Sequence, residues 1–461
     1  MVFADLFFIY FFLPLCLIFY FTAKTLERKN TVLIIFSLIF YAWGKPLYVL
    51  LLLLCAVFNW AVGLALDRFR NTPLSRLMLG LGIAVNLALL LVFRFKGFLA
   101  ETPITLPIGI GIFTLQAVSY IIDCAREQVA VQRNFKKFLL YFSLFPQLLA
   151  GPIVRYSAVE RAIDDRRITV SDACDGALRV VVGLAKKVII ANNLYAIVNA
   201  FFGDGLSGLS VLGTWYTAIV FTLYIYFEFS GYADVAIGLG RIFGFRFDEN
   251  FAYPLAGKTI TEFSQRWFIS LGSFLRDYLL NIPFFGKNRK YVGLFLACLC
   301  AGIWFGGGWN FILWGLYFGF FLFFEQKLCK HLVEKWPVWV KHIYSKLVIV
   351  IGFGIFCLRA PAQLGQFFGR LSGLSMLTSH APFFDPQTWA SFTDNFFLIA
   401  AAIVCALPLL PKIKAFFLEN RNHTIYAIGR YGALAACAVM LVILSILLVG
   451  AGNDPLAYFR F

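Results

Sequence analysis

The chain has 461 residues, 61% of them apolar and only 14% charged, where soluble globular proteins carry roughly 45–50% and about 25%. That balance excludes a water-soluble globular protein and indicates a surface solvated by lipid. The net charge of +16 does not indicate nucleic acid, because the basic residues sit in short loops between apolar runs, as the positive-inside rule requires.

A helix needs about 20 apolar residues to cross a bilayer, and runs of that kind recur from end to end. The first, 6–22, is followed by Lys24, Arg28 and Lys29, which places the N-terminus outside and this loop in the cytoplasm. Asp5 leaves no basic leading region and no small-residue cleavage site follows, so the run reads as a retained helix rather than a signal peptide. Further clean spans are 46–66, 211–227 and 431–450. Other apolar segments are short or broken: 31–43 is short, 106–124 carries Pro107, Gly109 and Gly111, and 138–154 carries Pro146, Gly151 and Pro152. Broken backbone at membrane depth is tolerated only inside protein or along a wet cavity. The chain therefore reads as one membrane domain, 1–461, all-α and polytopic, with about 11–13 transmembrane and re-entrant segments around a pocket or tunnel.

Three polar stretches interrupt the pattern. Residues 155–179 read as a loop with short surface helices, in which Thr169 is placed to cap the next helix. Residues 246–289 hold the densest chemistry, and 379–394, rich in Pro, Ser and Thr, read as an exposed loop. The ten cysteines are scattered and form no CxxC or His-bearing metal pattern, so neither a disulfide framework nor a metal site is expected.

Ionisable groups inside apolar runs carry the sharpest signal, since each costs at least about 2.5 kcal/mol to insert unless paired or wet. The run FTLYIYFEFSGYADVAIGLGR holds Glu228, Ser230, Tyr232 and Asp234. On a helix Ser230 and Asp234 share a face and Glu228 lies a turn from Tyr232. These acids either serve a site or pair with Arg241 or Arg246 to hold helices together. Lys186 and Lys187 are expected to snorkel to a membrane surface. In ITEFSQRWFISLGSFLRDYL, Glu262, Arg266, Ser270, Ser273 and Asp277 recur at helical spacing, which predicts one polar stripe. It is either an interfacial amphipathic helix or the lining of a polar entrance. Soon after, Trp304, Phe305 and three glycines precede Trp309 and Asn310, allowing either a close backbone approach to a ligand or simple helix packing.

At these residues the chain resembles the membrane-bound O-acyltransferases. The matching segments are LPIGIGIFTLQAVSYIID (106–123), FPQLLAGPIVRYS (145–157), GLAKKVIIANNL (183–194) and YIYFEFSGYADVAIGLGRIFGFRFDENFAYP (224–254). They continue with TITEFSQRWFISLGSFLRDYL (259–279), GIWFGGGWNFILWGLYFG (302–319) and the final DPLAYFRF. The nearest branch serves O-acetylation of alginate and peptidoglycan and D-alanylation of teichoic acid. The resemblance implies a horseshoe of helices around a central tunnel in the bacterial cytoplasmic membrane. It also implies membrane lipids around the protein and an acyl thioester donor, acyl-CoA and in particular acetyl-CoA, on the cytoplasmic side. An acceptor, or an extracytoplasmic acyltransferase or relay partner, would meet the acyl group on the other side. No bound cofactor is implied. Gln116, Pro152, Arg155, Tyr232, Glu262, Arg266, Trp304, Trp309 and Asn310 fall in the matching segments and are expected along the tunnel.

The family's signature histidine usually lies in a W-H-G segment and a second one in R-W-H-I-S-L; here those positions are Phe305 and Phe268. The usual YIPLGGN becomes NIPFFGKN at 281–288. Imidazole accepts a proton near neutral pH and phenylalanine cannot. If the chain is an active acyltransferase, Asp277, Glu228 or Asp234 must supply the base, or the acceptor brings its own. The alternative is a catalytically silent homologue acting as an acyl or lipid conduit, or as a scaffold for a partner enzyme. A secondary transporter is disfavoured, because no inverted repeat is visible.

Overall fold

A computed structural model describes residues 1–95, 107, 109–149, 151–202, 206, 208–280, 290–358, 360–378, 381–418 and 423–450. The altered segment 281–288 and the final 454–461 lie outside the described residues. Regular structure among the described residues is all helical. Among the described residues, seven helices are long and apolar enough to span a membrane: Leu47–Arg68, Pro73–Arg94, Val170–Phe202, Val211–Ile242, Trp309–Leu328, Val338–Cys357 and Gly429–Val449. An eighth forms if Pro386–Asp394 and Phe396–Cys405, bent by 61°, make one span. The protein is thus an all-α polytopic membrane protein.

Two polar stretches are more helical than their composition predicts. In the first, Tyr156–Asp164 is a surface helix that buries Tyr156, Val159 and Ile163, but the chain then enters a long helix at Val170. The Thr169 hydroxyl accepts the Asp172 N–H at 3.1 Å, supplying the expected cap. Arg241 meets Asp172 at 3.3 Å and Asp175 at 2.8 Å, so acids with the look of loop residues are neutralised inside the helix. In the second, Pro386–Asp394 is a helix rather than loop, because the Asp385 carboxylate accepts the Thr388 N–H at 2.6 Å.

The chain packs as two compact units, Met1–Gly183 with Tyr232–Asn250 and Ser270–Ile282, and Leu184–Gly231 with Phe251–Ile269 and Pro283–Phe461. In the first unit the described residues of the broken segments are mostly buried, and parts of their backbone are met by other parts of the protein. Gly109 has φ +75°, and a Cβ there would lie 2.5 Å from the Leu148 carbonyl oxygen, so glycine is needed both for the turn and for the approach. Helix Phe135–Ser143 stops at Leu144 and a single turn, Phe145–Leu148, carries Pro146. Beyond it the Val154 carbonyl accepts from Gln116 Nε2 at 3.2 Å and from the Tyr141 hydroxyl at 3.2 Å. Such partners are what lipid cannot provide.

In the second unit, helices Lys290–Phe305 and Trp309–Phe323 form a tight hairpin. A Cβ on Gly302 would collide with the Phe311 carbonyl oxygen, and one on Gly315 would lie 2.5 Å from the Cys298 carbonyl oxygen. Gly302 and Gly315, on either side of the Trp304–Trp309 segment, therefore sit at a helix–helix contact that tolerates no added carbon. Overpacking of this kind costs about 1–3 kcal/mol, so Gly302→Ala should lower the unfolding temperature of the detergent-solubilised protein, while Gly272→Ala, with open space around its Cβ, should not.

Candidate functional site

The segment 259–279 shows why the site takes its form. Helix Ile260–Arg266 starts at Thr259, whose hydroxyl accepts the Glu262 N–H at 3.1 Å. The buried Glu325 carboxylate accepts the Ile260 and Thr261 N–H groups at 2.7 and 2.8 Å and the Thr261 hydroxyl at 2.6 Å. The helix ends at Trp267, which is extended, and Phe268 adopts φ +45°, before helix Ile269–Phe274 and a π-turn, Leu275–Leu279. The single polar stripe is therefore overturned. A left-handed residue resets the helical phase, which spacing over an uninterrupted helix cannot anticipate. Arg266 meets Glu262 at 3.6 Å, both partly exposed, whereas Asp277 pairs with Arg155.

Left-handed backbone is uncommon for a bulky side chain and marks strain held by its surroundings. Those surroundings are aromatic. Phe268 lies 5.2 Å from Phe305, 5.0 Å from Phe229, 4.8 Å from Phe251 and 5.7 Å from Trp304, ring centre to ring centre. Phe305 also meets Trp314 at 5.4 Å and Phe356 at 5.6 Å. Most of these pairs are edge-to-face, the arrangement ring quadrupoles favour. Phe268 and Phe305, far apart in sequence, are thus in direct contact, each 5% exposed. Trp267 and Trp314 flank the block, and neither buried indole N–H finds an acceptor among the described residues. Trp304 belongs to the block; Trp309 packs instead against a cluster that includes Leu206, Ile355 and Phe367. Asn310 Nδ2 donates to the Phe356 carbonyl at 2.6 Å.

The same unit buries an ion pair. Lys187 Nζ donates to both Glu228 oxygens, at 2.8 and 2.6 Å, with side-chain exposures of 2% and 3%. Lys187 thus does not snorkel: it lies in a π-turn, Lys186–Ala191, whose extra residue per turn shifts the facing of the side chains. Nor does Glu228 pair with Arg241 or Arg246; those two meet Asp172, at 3.3 and 3.8 Å.

In the other unit Asp234 accepts from Arg179 at 2.8 and 3.0 Å, and Arg179 also binds Glu249. Tyr232 is buried, 6.1 Å from Phe3, and Pro152 is buried as well. Arg155 meets Asp277 at 2.6 Å and lies 5.0 Å from the Tyr278 ring centre. The Tyr278 hydroxyl donates to both oxygens of Asp123, at 2.8 and 2.9 Å, and Arg126 donates to the Asp277 carbonyl at 3.2 Å. Burial and the Asp123 carboxylate push the Tyr278 phenol above its ordinary range. Burial opposes the Arg155 charge, yet the Asp277 hydrogen bond raises its affinity for the proton overall. Sequence reasoning misses Asp123, Arg179 and Glu325, although Asp123 and Glu325 stand inside apolar runs just as Glu228 does.

Removing one partner of a buried ion pair costs about 3–5 kcal/mol, while replacing both by apolar groups is often neutral. Lys187→Met alone should therefore sharply destabilise the protein in thermal melts, and Lys187→Met with Glu228→Leu should recover most of the loss.

Comparison with known proteins matches residues 5–358 to the model of MBOAT, the membrane-bound O-acyltransferase family. The chain is 36% identical over 379 residues to the "Probable alginate O-acetylase AlgI" of Pseudomonas aeruginosa, covering 77% of this chain and 72% of that one. It is 32% identical to the peptidoglycan O-acetyltransferase of Helicobacter pylori, over 68% of each chain. It is also 29% identical to the teichoic acid D-alanyltransferase of Bacillus subtilis, over 54% of this chain and 66% of the relative. With a family match across most of its length and apolar spans throughout, the chain belongs to the membrane-bound O-acyltransferase family.

Proposed function

We propose that the protein serves O-acetylation of a cell-surface polysaccharide or related glycan from the bacterial cytoplasmic membrane. The observation that carries this reading is relatedness, over more than two thirds of the chain, to proteins named for acetylating two different cell-surface glycans. In this reading the chain works as one membrane domain around a tunnel. It takes an acyl group from a cytoplasmic thioester, acetyl-CoA, toward an extracytoplasmic acceptor or partner protein.

The chemistry is attack of an acceptor oxygen on the thioester carbonyl carbon. The C–O bond forms, the C–S bond breaks, the thiol leaves and the hydroxyl proton must be taken up. Phe268 and Phe305 stand where the resemblance puts imidazoles, and their rings supply shape without a lone pair. The indole N–H groups of Trp267 and Trp314 are donors suited to a carbonyl oxygen. The proton then goes to Asp277, Glu228 or Asp234, or to a base on the acceptor. The packed phenylalanine pair also favours a second reading, a catalytically silent homologue that conducts acyl groups or scaffolds a partner enzyme.

Thioester turnover by the purified full-length protein, with radiolabelled acetyl-CoA and a glycan acceptor, separates the two. Acetylation requires saturable transfer by the unmodified protein, lowered roughly 10²- to 10⁴-fold by whichever of Asp277→Asn, Glu228→Gln or Asp234→Asn removes the base. Donor binding without turnover, with a gain of about 10² in Phe268→His/Phe305→His, would establish the silent reading and general-base loss as its cause. Absence of donor binding in both would remove the acyl substrate altogether. Arg266→Ala should weaken donor binding if the Glu262–Arg266 pair borders the entrance.

A further inference from the structure

A cleft in the first unit, built from residues that the candidate site does not use, has the features of a binding site. It has a volume of about 350 Å³ and lies among the starts of helices Leu26–Ala42 and Phe135–Ser143 and the end of Tyr156–Asp164. Its floor includes Asn30, which is 7% exposed. Asn30 Nδ2 donates to the Ile163 carbonyl at 3.0 Å, but the buried Oδ1 accepts nothing from the described residues. A buried acceptor left without a donor is penalised, so the site favours an occupant that brings one.

The walls say what else the occupant carries. Lys136 and Lys137 face Glu27 and Asp164, at 3.3 Å for Lys136–Glu27 and 2.7 Å for Lys137–Asp164. Two cations and two anions suit neither a bare anion nor a bare cation, but a zwitterion. The helix ends agree with the side chains: two positive N-terminal ends meet one negative C-terminal end at the cleft. A phosphate would rest at the N-termini against the lysines, and an ammonium would reach Asn30 Oδ1 and the carboxylates.

We propose that this cleft binds a phosphoethanolamine group, as the headgroup of an aminophospholipid. The experiment is native mass spectrometry of the full-length protein with phosphatidylethanolamine, phosphatidylglycerol or phosphatidylcholine added singly. Choline offers no donor to Asn30, and glycerol offers a donor without a cation. Retention should therefore fall from ethanolamine to glycerol to choline, with about tenfold between first and last, the value of one hydrogen bond to a charged group. Lys136→Gln/Lys137→Gln, both partly exposed and so tolerable for folding, should lower ethanolamine-lipid retention about tenfold. Asn30→Ala should abolish the preference over choline. Displacement by soluble O-phosphorylethanolamine as effective as by the whole lipid would keep the headgroup chemistry and make the free compound its source. Equal retention of the three lipids, or unchanged retention in the double lysine variant, would overturn the proposal and leave a water-filled cleft closed by its own ion pairs.

Discussion

A bilayer provides no hydrogen-bond partner, so each interruption of a helix in this protein has to be met by another part of the protein. The irregular stretch after Leu148 is met by Gln116 and Tyr141, and the start of helix Ile260–Arg266 is met by Glu325. Charges obey the same constraint. Lys187 and Glu228 are buried only because each brings the other, and Arg179 ties down Asp234. Once these groups are satisfied, backbone that lipid would forbid is free to take shapes useful to a site.

The best example is Phe268. Its left-handed backbone interrupts what would otherwise be one amphipathic helix, and it directs the ring into contact with Phe305. The contact is held from two helices and a loop at once, through Phe229, Trp304 and Phe251. A close-packed aromatic block transmits a change of shape or volume, so substitutions here act on geometry as much as on chemistry.

Much of this is legible in the sequence, for physical reasons. Composition and apolar run length fix the solvent and the fold class, and Pro146, Gly109 and Gly151 mark where helices break. Thr169 is legible as a cap because capping is local. Pairing is not legible. The arginines nearest Glu228 in sequence are not its partners; Lys187, 41 residues away, is. Asp277 pairs not along its own helix but with Arg155, 122 residues away. The polar stripe fails at one residue, Phe268, whose φ no spacing rule predicts. Phe268 and Phe305 are singled out by resemblance rather than by pattern, and no periodicity would find that they meet.

The Glu325 cap also orders events in time. Its acceptor oxygens come from a residue 65 positions downstream of the first N–H group they serve. While the chain emerges from the ribosome, the start of helix Ile260–Arg266 is made well before its partner. Until residue 325 is inserted, these amides must stay hydrated or borrow another acceptor, so the segment that carries Phe268 cannot lock before the hairpin beyond it. Assembly of this part of the protein is thereby gated by synthesis of a later helix, and a ribosome pause between the two would prolong the interval in which the unlocked segment is exposed to membrane quality control.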